Sequence, residues 1–120
     1  EVNVSDVETQ EELNARARVA AYLGTLQAGF TNFHYLREVW KTTTEQDALI
    51  GVGMTGIASG KVLKLDLNEA AQEVKHVNLE TSSAIGIQFA ARCTTIKPSG
   101  TSSLVLGTSS GIHAWHAPYY

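Results

Sequence analysis

The stretch Cys93-Thr94-Thr95-Ile96-Lys97-Pro98-Ser99-Gly100-Thr101-Ser102-Ser103-Leu104-Val105-Leu106 decides how this chain is read. Its β-branched opening predicts a buried strand over Thr94 to Ile96 that ends at a turn. Pro98 sets the direction of the chain after the strand, and Gly100 lets backbone come close to a ligand. Thr101, Ser102 and Ser103 bring hydroxyls to the place where a short helix is expected to begin, between Ser99 and Ser102. Free N–H groups and the dipole at such a helix start favour a phosphate. An ordinary Ser/Thr helix cap accounts for the same residues, and the residues alone leave these two readings nearly even.

Upstream, Thr9 and Glu12 make the T-x-x-E pattern of a capping box, so a helix is predicted from Gln10 to about Ala28. Leu13, Ala17, Ala20, Leu23 and Gln27 recur along it at spacings of three and four. A second helix is predicted over Asn32 to Thr42, with Phe33, Leu36, Val39 and Trp40 on one side. Ala48 to Met54 is short, apolar and glycine-bearing, and reads as a buried strand. A third helix is expected from Leu67 to about Leu79, with Asp66 and Glu69 as its capping pair and Leu67, Ala70, Ala71, Val74 and Val77 as its stripe. Helices alternating with short buried strands predict an α/β fold.

Gly51-Val52-Gly53-Met54-Thr55-Gly56 matches G-x-G-x-x-G after a predicted strand. A dinucleotide site needs a long helix beginning there and a ribose-binding acid roughly 20 residues on. Neither is evident, so a structural glycine turn is the better reading. Gly60-Lys61 is no P-loop either, because Thr55 stands where its first glycine belongs and Val62 where Ser or Thr belongs. His113 and His116 bracket Trp115 without a nearby carboxylate or thiol, which suits stacking or hydrogen bonding on a loop more than a metal. His34 and His76 are read as surface residues. Cys93 is read as a small apolar core residue, and Glu8, Glu11 and Glu12 as helix-start chemistry.

At 120 residues, with 43% hydrophobic and 18% charged residues, the chain suits one small packed domain. Its net charge of −3 and the lack of any block of five or more Lys and Arg argue against nucleic acid or an anionic membrane as partner. Apolar runs fall far below the ~20 residues that span a bilayer. One cysteine suits a reducing compartment, so a cytoplasmic protein is expected. Pro118-Tyr119-Tyr120 ends on two aromatics, which reads as chain that continues.

Taken as a block, Thr94 to His116 (TTIKPSGTSSLVLGTSSGIHAWH) resembles the substrate-phosphate region of adenosylcobalamin-dependent, class II ribonucleotide reductases. Lys-Pro-Ser-Gly-Thr is its most specific part, and Ser-Gly-Ile-His follows at the family's distance. Ile50 to Gly56 resembles the apolar strand before that region. Val2 to Asp6, with Gly24 to Leu36, resembles the segment after the family's catalytic cysteine loop. The resemblance is thinnest over Glu73 to Phe89, and Ala117-Pro118 departs from the family's polar pair.

The resemblance implies that residues 1–120 are a fragment from the C-terminal part of the family's ten-stranded α/β barrel, an incomplete barrel on its own. It implies radical reduction of ribonucleoside di- or triphosphates to deoxyribonucleotides, with adenosylcobalamin as the parent enzyme's cofactor and a thioredoxin-type dithiol as reductant. The parent is expected as a monomer or homodimer. Pro98, Ser99, Gly100, Thr101 and Ser102 would hold the substrate's phosphates. The radical cysteine, its Asn and Glu neighbours and the reducing cysteines would lie outside this chain, so no catalytic residue and no metal ligand is expected within it. The alternatives are a class I reductase large subunit, which usually has a different residue at the place of Gly100, and a non-redox nucleotide- or phosphate-binding α/β module.

Overall fold

The computed structural model describes residues 1–97 and 99–115. In chain order the elements are β1 (Val2–Asn3), α1 (Gln10–Ala28), α2 (Glu38–Asp47), β2 (Met54–Thr55), two 3-10 turns at Ile57–Ser59 and Val62–Lys64, α3 (Leu67–Ile85) and α4 (Thr101–Leu106).

α1 starts where its capping residues demand. The Thr9 hydroxyl accepts from the Glu12 N–H at 3.2 Å, and the Glu12 carboxylate accepts from the Glu8 N–H at 3.1 Å. Four N–H groups at a helix start lack an intrahelical acceptor, and these bonds satisfy two local N–H groups there. α3 is capped in the same way, the Asp66 carboxylate accepting from the Glu69 N–H at 3.0 Å. It runs to Ile85, a turn and a half past the expected stop, and ends where Gly86 takes a left-handed φ of 78°.

The two long helices face each other. α1 buries Leu13, Asn14, Ala17, Ala21 and Thr25, while α3 buries Ala70, Val74, Asn78, Thr81 and Ser82. Leu23, expected on the buried stripe, is 59% exposed, and Thr25 is fully buried instead. Alanines at 17 and 21 let the helices come close, and the small Thr25 fits between them where Leu does not. Thr25 donates to the Ala21 carbonyl at 2.7 Å and accepts from the Asn78 side-chain amide at 2.9 Å. The Asn78 carbonyl oxygen in turn accepts from the Ala90 N–H at 2.8 Å, tying the chain after α3 back to the helix pair. Buried polar atoms are tolerated because each has its partner.

β1 and β2 pair in parallel, Val2 opposite Met54 and Asn3 opposite Thr55. On the other side of this middle segment, Val52 bridges Thr94, also in parallel. The ladder shows its two sides clearly: Val2 and Val4 N–H donate to the carbonyls of Gly53 and Thr55, whereas Val52 N–H donates to Cys93 and Thr95 N–H to Val52. Among the described residues this is the whole extent of the sheet, two strands and one bridge. Val2, Val4 and Val7 join Leu13, Ala17, Ala21, Val62, Val74, Ala90 and Cys93 in the core beneath it.

Three expectations are corrected here. Ala48 to Met54 is not one buried strand: Ala48 is the left-handed cap of α2 at φ 45°, Leu49 is exposed, and the strand itself is confined to Met54–Thr55 with a bridge at Val52. Thr94 to Ile96 is not a buried strand: only Thr94 pairs, all three residues are exposed, and Ile96 is 82% accessible, because nothing among the described residues covers their outer side. The second helix begins at Glu38 rather than Asn32 and buries no residue, so Leu36, Val39 and Trp40 stay exposed. Its apolar residues follow helical spacing, yet the core is already closed by α1, α3 and the paired segments.

Candidate phosphate-binding loop

After Ile96 the chain leaves the edge of the paired segments and enters α4 at Thr101, inside the interval expected from the sequence. Pro98 lies outside the described residues, as does His116. Of the remaining expected site residues, Gly100, Thr101 and Ser102 are exposed and Ser99 is buried at 6%. Gly100 is the N-cap of α4 and supplies no side-chain cap. The N–H groups of Thr101, Ser102 and Ser103 belong to the first turn, which has no intrahelical acceptor for them. Among the described residues, a Cβ built on Gly100 meets nothing within 4 Å. Packing therefore does not demand glycine there, and the space over it is open.

Ser99 is used differently from its neighbours. Its hydroxyl lies 2.9 Å from that of Thr55, a fully buried residue at the end of β2. Thr55 donates its one proton to the Ser109 carbonyl at 2.7 Å, and its oxygen also lies 3.4 Å from the Gly111 N–H. A hydroxyl has one proton and two lone pairs. With the Thr55 proton committed to Ser109, Ser99 must donate to Thr55. The Ser99 hydroxyl proton is thus spent inside the protein, leaving Ser99 only its backbone N–H to donate to a ligand.

The far end of the excursion is fastened as well. Ser110 donates its hydroxyl to the Ser99 carbonyl, Thr108 N–H donates to Ser103 at 3.0 Å, and Ile57 N–H donates to Gly111 at 3.1 Å. Ser103 turns its hydroxyl back onto the Gly100 carbonyl at 2.7 Å. Ser99 to Gly111 is a loop closed at its neck, with α4 inside it and its base pinned to the end of β2.

No protein-family model, curated protein or solved structure matches the chain.

The glycine motif finds its explanation in this packing rather than in a nucleotide. A Cβ on Gly51 would sit 3.1 Å from the Thr95 methyl, and one on Gly53 would sit 3.2 Å from the Thr95 carbonyl. Gly56 is left-handed at φ 84°, and a Cβ there would overlap the Thr108 hydroxyl and approach the Ser5 Cβ to 2.9 Å. Only a three-residue 3-10 turn directly follows Gly56, so no long helix opens from the motif as a dinucleotide-binding turn requires.

Thr55, Ser109 and Ser110 were not singled out by sequence reasoning. The one available signal was Thr55 within a glycine-rich turn, and hydroxyls are too common in turns for that to discriminate. Cys93 is buried in the core, and desolvation pushes its thiol pKa up, with Lys75 pulling weakly the other way. Burial favours the protonated thiol, so Cys93 is no activated nucleophile. His34, His76 and His113 are exposed, and His76 pairs with Glu80 at 3.0 Å on the surface of α3. Among the described residues no group of three or more His, Cys, Asp and Glu side chains could hold a metal ion. No helix among them is long and apolar enough to cross a membrane.

Proposed function

We propose that the chain is a piece of a ribonucleotide reductase catalytic subunit of the adenosylcobalamin-dependent class, and that the loop from Lys97 to Ser103 binds the phosphates of its ribonucleotide substrate. The carrying observation is that Lys-Pro-Ser-Gly-Thr, the most specific block of the resemblance, runs into a helix start at which Thr101 and Ser102 are exposed. Thr101 and Ser102 bring hydroxyls and N–H groups to the same place, and the open space over Gly100 leaves room for close approach. On this reading the paired parallel segments belong to a ten-stranded α/β barrel completed by further chain.

The role of these residues is binding and orientation. Thr101 and Ser102 donate to phosphate oxygens, and exposed Lys97 adds positive charge at the loop's entry. Adenosylcobalamin, when bound to the parent enzyme, supplies the radical that starts reduction. No residue of this chain is assigned to it. A thioredoxin-type dithiol, a cytoplasmic location and a monomeric or dimeric parent complete the proposal. Cys93, buried and without a second cysteine in the chain, takes no part in electron transfer.

The test has two arms. Inorganic pyrophosphate is titrated into the isotope-labelled chain while amide resonances are followed. Shifts should concentrate at Gly100 to Ser103, and Thr101→Ala should weaken binding roughly ten- to a hundredfold, the worth of a hydrogen bond to a charged acceptor. Shifts confined to other segments would remove the site. The second arm assays the full-length enzyme for deoxynucleotide formation with a dithiol and with or without adenosylcobalamin. Pyrophosphate binding without reduction supports the phosphate-binding module instead, and reduction without the cobalamin supports class I.

A further inference from the structure

We infer that Thr55 is the positioning residue of the phosphate-binding loop: its buried hydroxyl joins the two ends of the loop's neck and holds the start of α4 at a set height over β2. The inference rests on the proposed phosphate role of the loop, and it adds a residue that lies outside the loop itself.

Thr55 is fully buried at the end of β2, which pairs with β1 on one side, while Val52 just before it bridges Thr94 on the other. Its single hydroxyl meets three groups from the loop: the Ser99 hydroxyl at 2.9 Å, the Ser109 carbonyl at 2.7 Å and the Gly111 N–H at 3.4 Å. Ser99 is one residue before the α4 N-cap, while Ser109 and Gly111 follow the C-cap Gly107. One side chain therefore holds both ends of an excursion that has only six helical residues of its own. Around it, Ile57 N–H to Gly111 and the close seat of Thr108 over Gly56 repeat the attachment with backbone. β1 adds one further tie, the Asn3 side-chain amide donating to the Leu106 carbonyl at 3.3 Å. Without the hydroxyl, Ser99 loses the acceptor for its proton and the Ser109 carbonyl loses its donor, in a site sealed from water. Satisfying them again requires the neck to open, which moves the first turn of α4 and the N–H groups that face the phosphate.

A general fold contribution and a positioning role make different forecasts for Thr55→Val and Thr55→Ser. Valine keeps the shape and removes the hydroxyl, whereas serine keeps the hydroxyl and removes a methyl. Both variants, with Ser99→Ala, are titrated with pyrophosphate at a temperature where urea unfolding shows each to be folded. Thr55→Val should bind about tenfold or more weakly, with amide shifts already displaced over residues 99–111 before ligand is added. Thr55→Ser should return affinity to within about twofold of the native chain. Native affinity in folded Thr55→Val overturns the inference. If Thr55→Val does not fold, Ser99→Ala decides: it detaches one end of the neck and should weaken binding several-fold, and unchanged affinity overturns the inference. If the native chain binds no pyrophosphate, the proposed function fails on its own. The positioning claim is then judged by hydrogen exchange in Thr55→Val, which should speed up over 99–111 while α1 and α3 stay protected. Exchange that is unchanged, or raised equally everywhere, overturns it.

Discussion

Gly56 and Gly60 form a matched pair on which the packing of the loop can be measured. Both are left-handed, at φ 84° and φ 83°, and both flank the same 3-10 turn. An alanine at either position must adopt a conformation that costs an L-residue roughly 1–2 kcal/mol. The gain from a stiffer unfolded chain, about 0.4–1 kcal/mol, is common to both and cancels in the comparison. Only Gly56 lies against neighbours, since a Cβ there overlaps the Thr108 hydroxyl and comes within 2.9 Å of the Ser5 Cβ, while Gly60 has nothing within 4 Å. Overpacking of this kind typically adds about 1–3 kcal/mol. Gly60→Ala should therefore cost about 1 kcal/mol and Gly56→Ala about 2–4 kcal/mol, a large part of the margin of a small domain. Urea unfolding followed by far-ultraviolet circular dichroism measures both, provided the slopes agree so that midpoints can be compared. Equal losses in the two variants would mean that Thr108 and Ser5 do not press on Gly56, and the account of the third glycine would fall with them.

Two further outcomes follow from the core and the surface. Thr25→Val removes the hydroxyl shared by Ala21 and Asn78 and leaves a buried amide donor unpaired, which should cost about 1–3 kcal/mol in urea unfolding; a variant as stable as the native chain would show the tie to be dispensable. Asp6 is held below its ordinary value of 3.8 by the hydrogen bond from Arg16, with attraction to Arg16 and Lys61 adding to it against some desolvation. A depressed folded pKa means that its stabilisation is present above the ordinary value and lost as the pH falls through the depressed one. The stability gap between the native chain and Asp6→Asn should therefore be open at neutral pH and close only below 3.8, and a carboxyl titration by NMR with its midpoint at or above 3.8 would contradict the pairing.

Much of the local structure was legible from the sequence because its causes are local. Thr9 with Glu12, and Asp66 with Glu69, start α1 and α3 within a residue of where they were expected, since a cap is decided by groups three residues apart. The start of α4 between Ser99 and Ser102 was readable for the same reason, and so was the lack of a long helix opening directly at Gly56. The burial of Cys93 followed from its chemistry and its neighbours.

Tertiary structure alone decided which of several equivalent-looking residues met which. The apolar spacing of the second helix could not reveal that no core surface was left for it, and the pattern of α1 could not choose between Leu23 and Thr25. Nor could the order of residues show that G-x-G-x-x-G serves close packing against Thr95 and Thr108, or that Ser99 spends its proton on a threonine 44 residues earlier. Caps and turns are settled within a few residues of chain, whereas the partner of a hydroxyl and the neighbour of a glycine depend on which distant segments parallel pairing brings together.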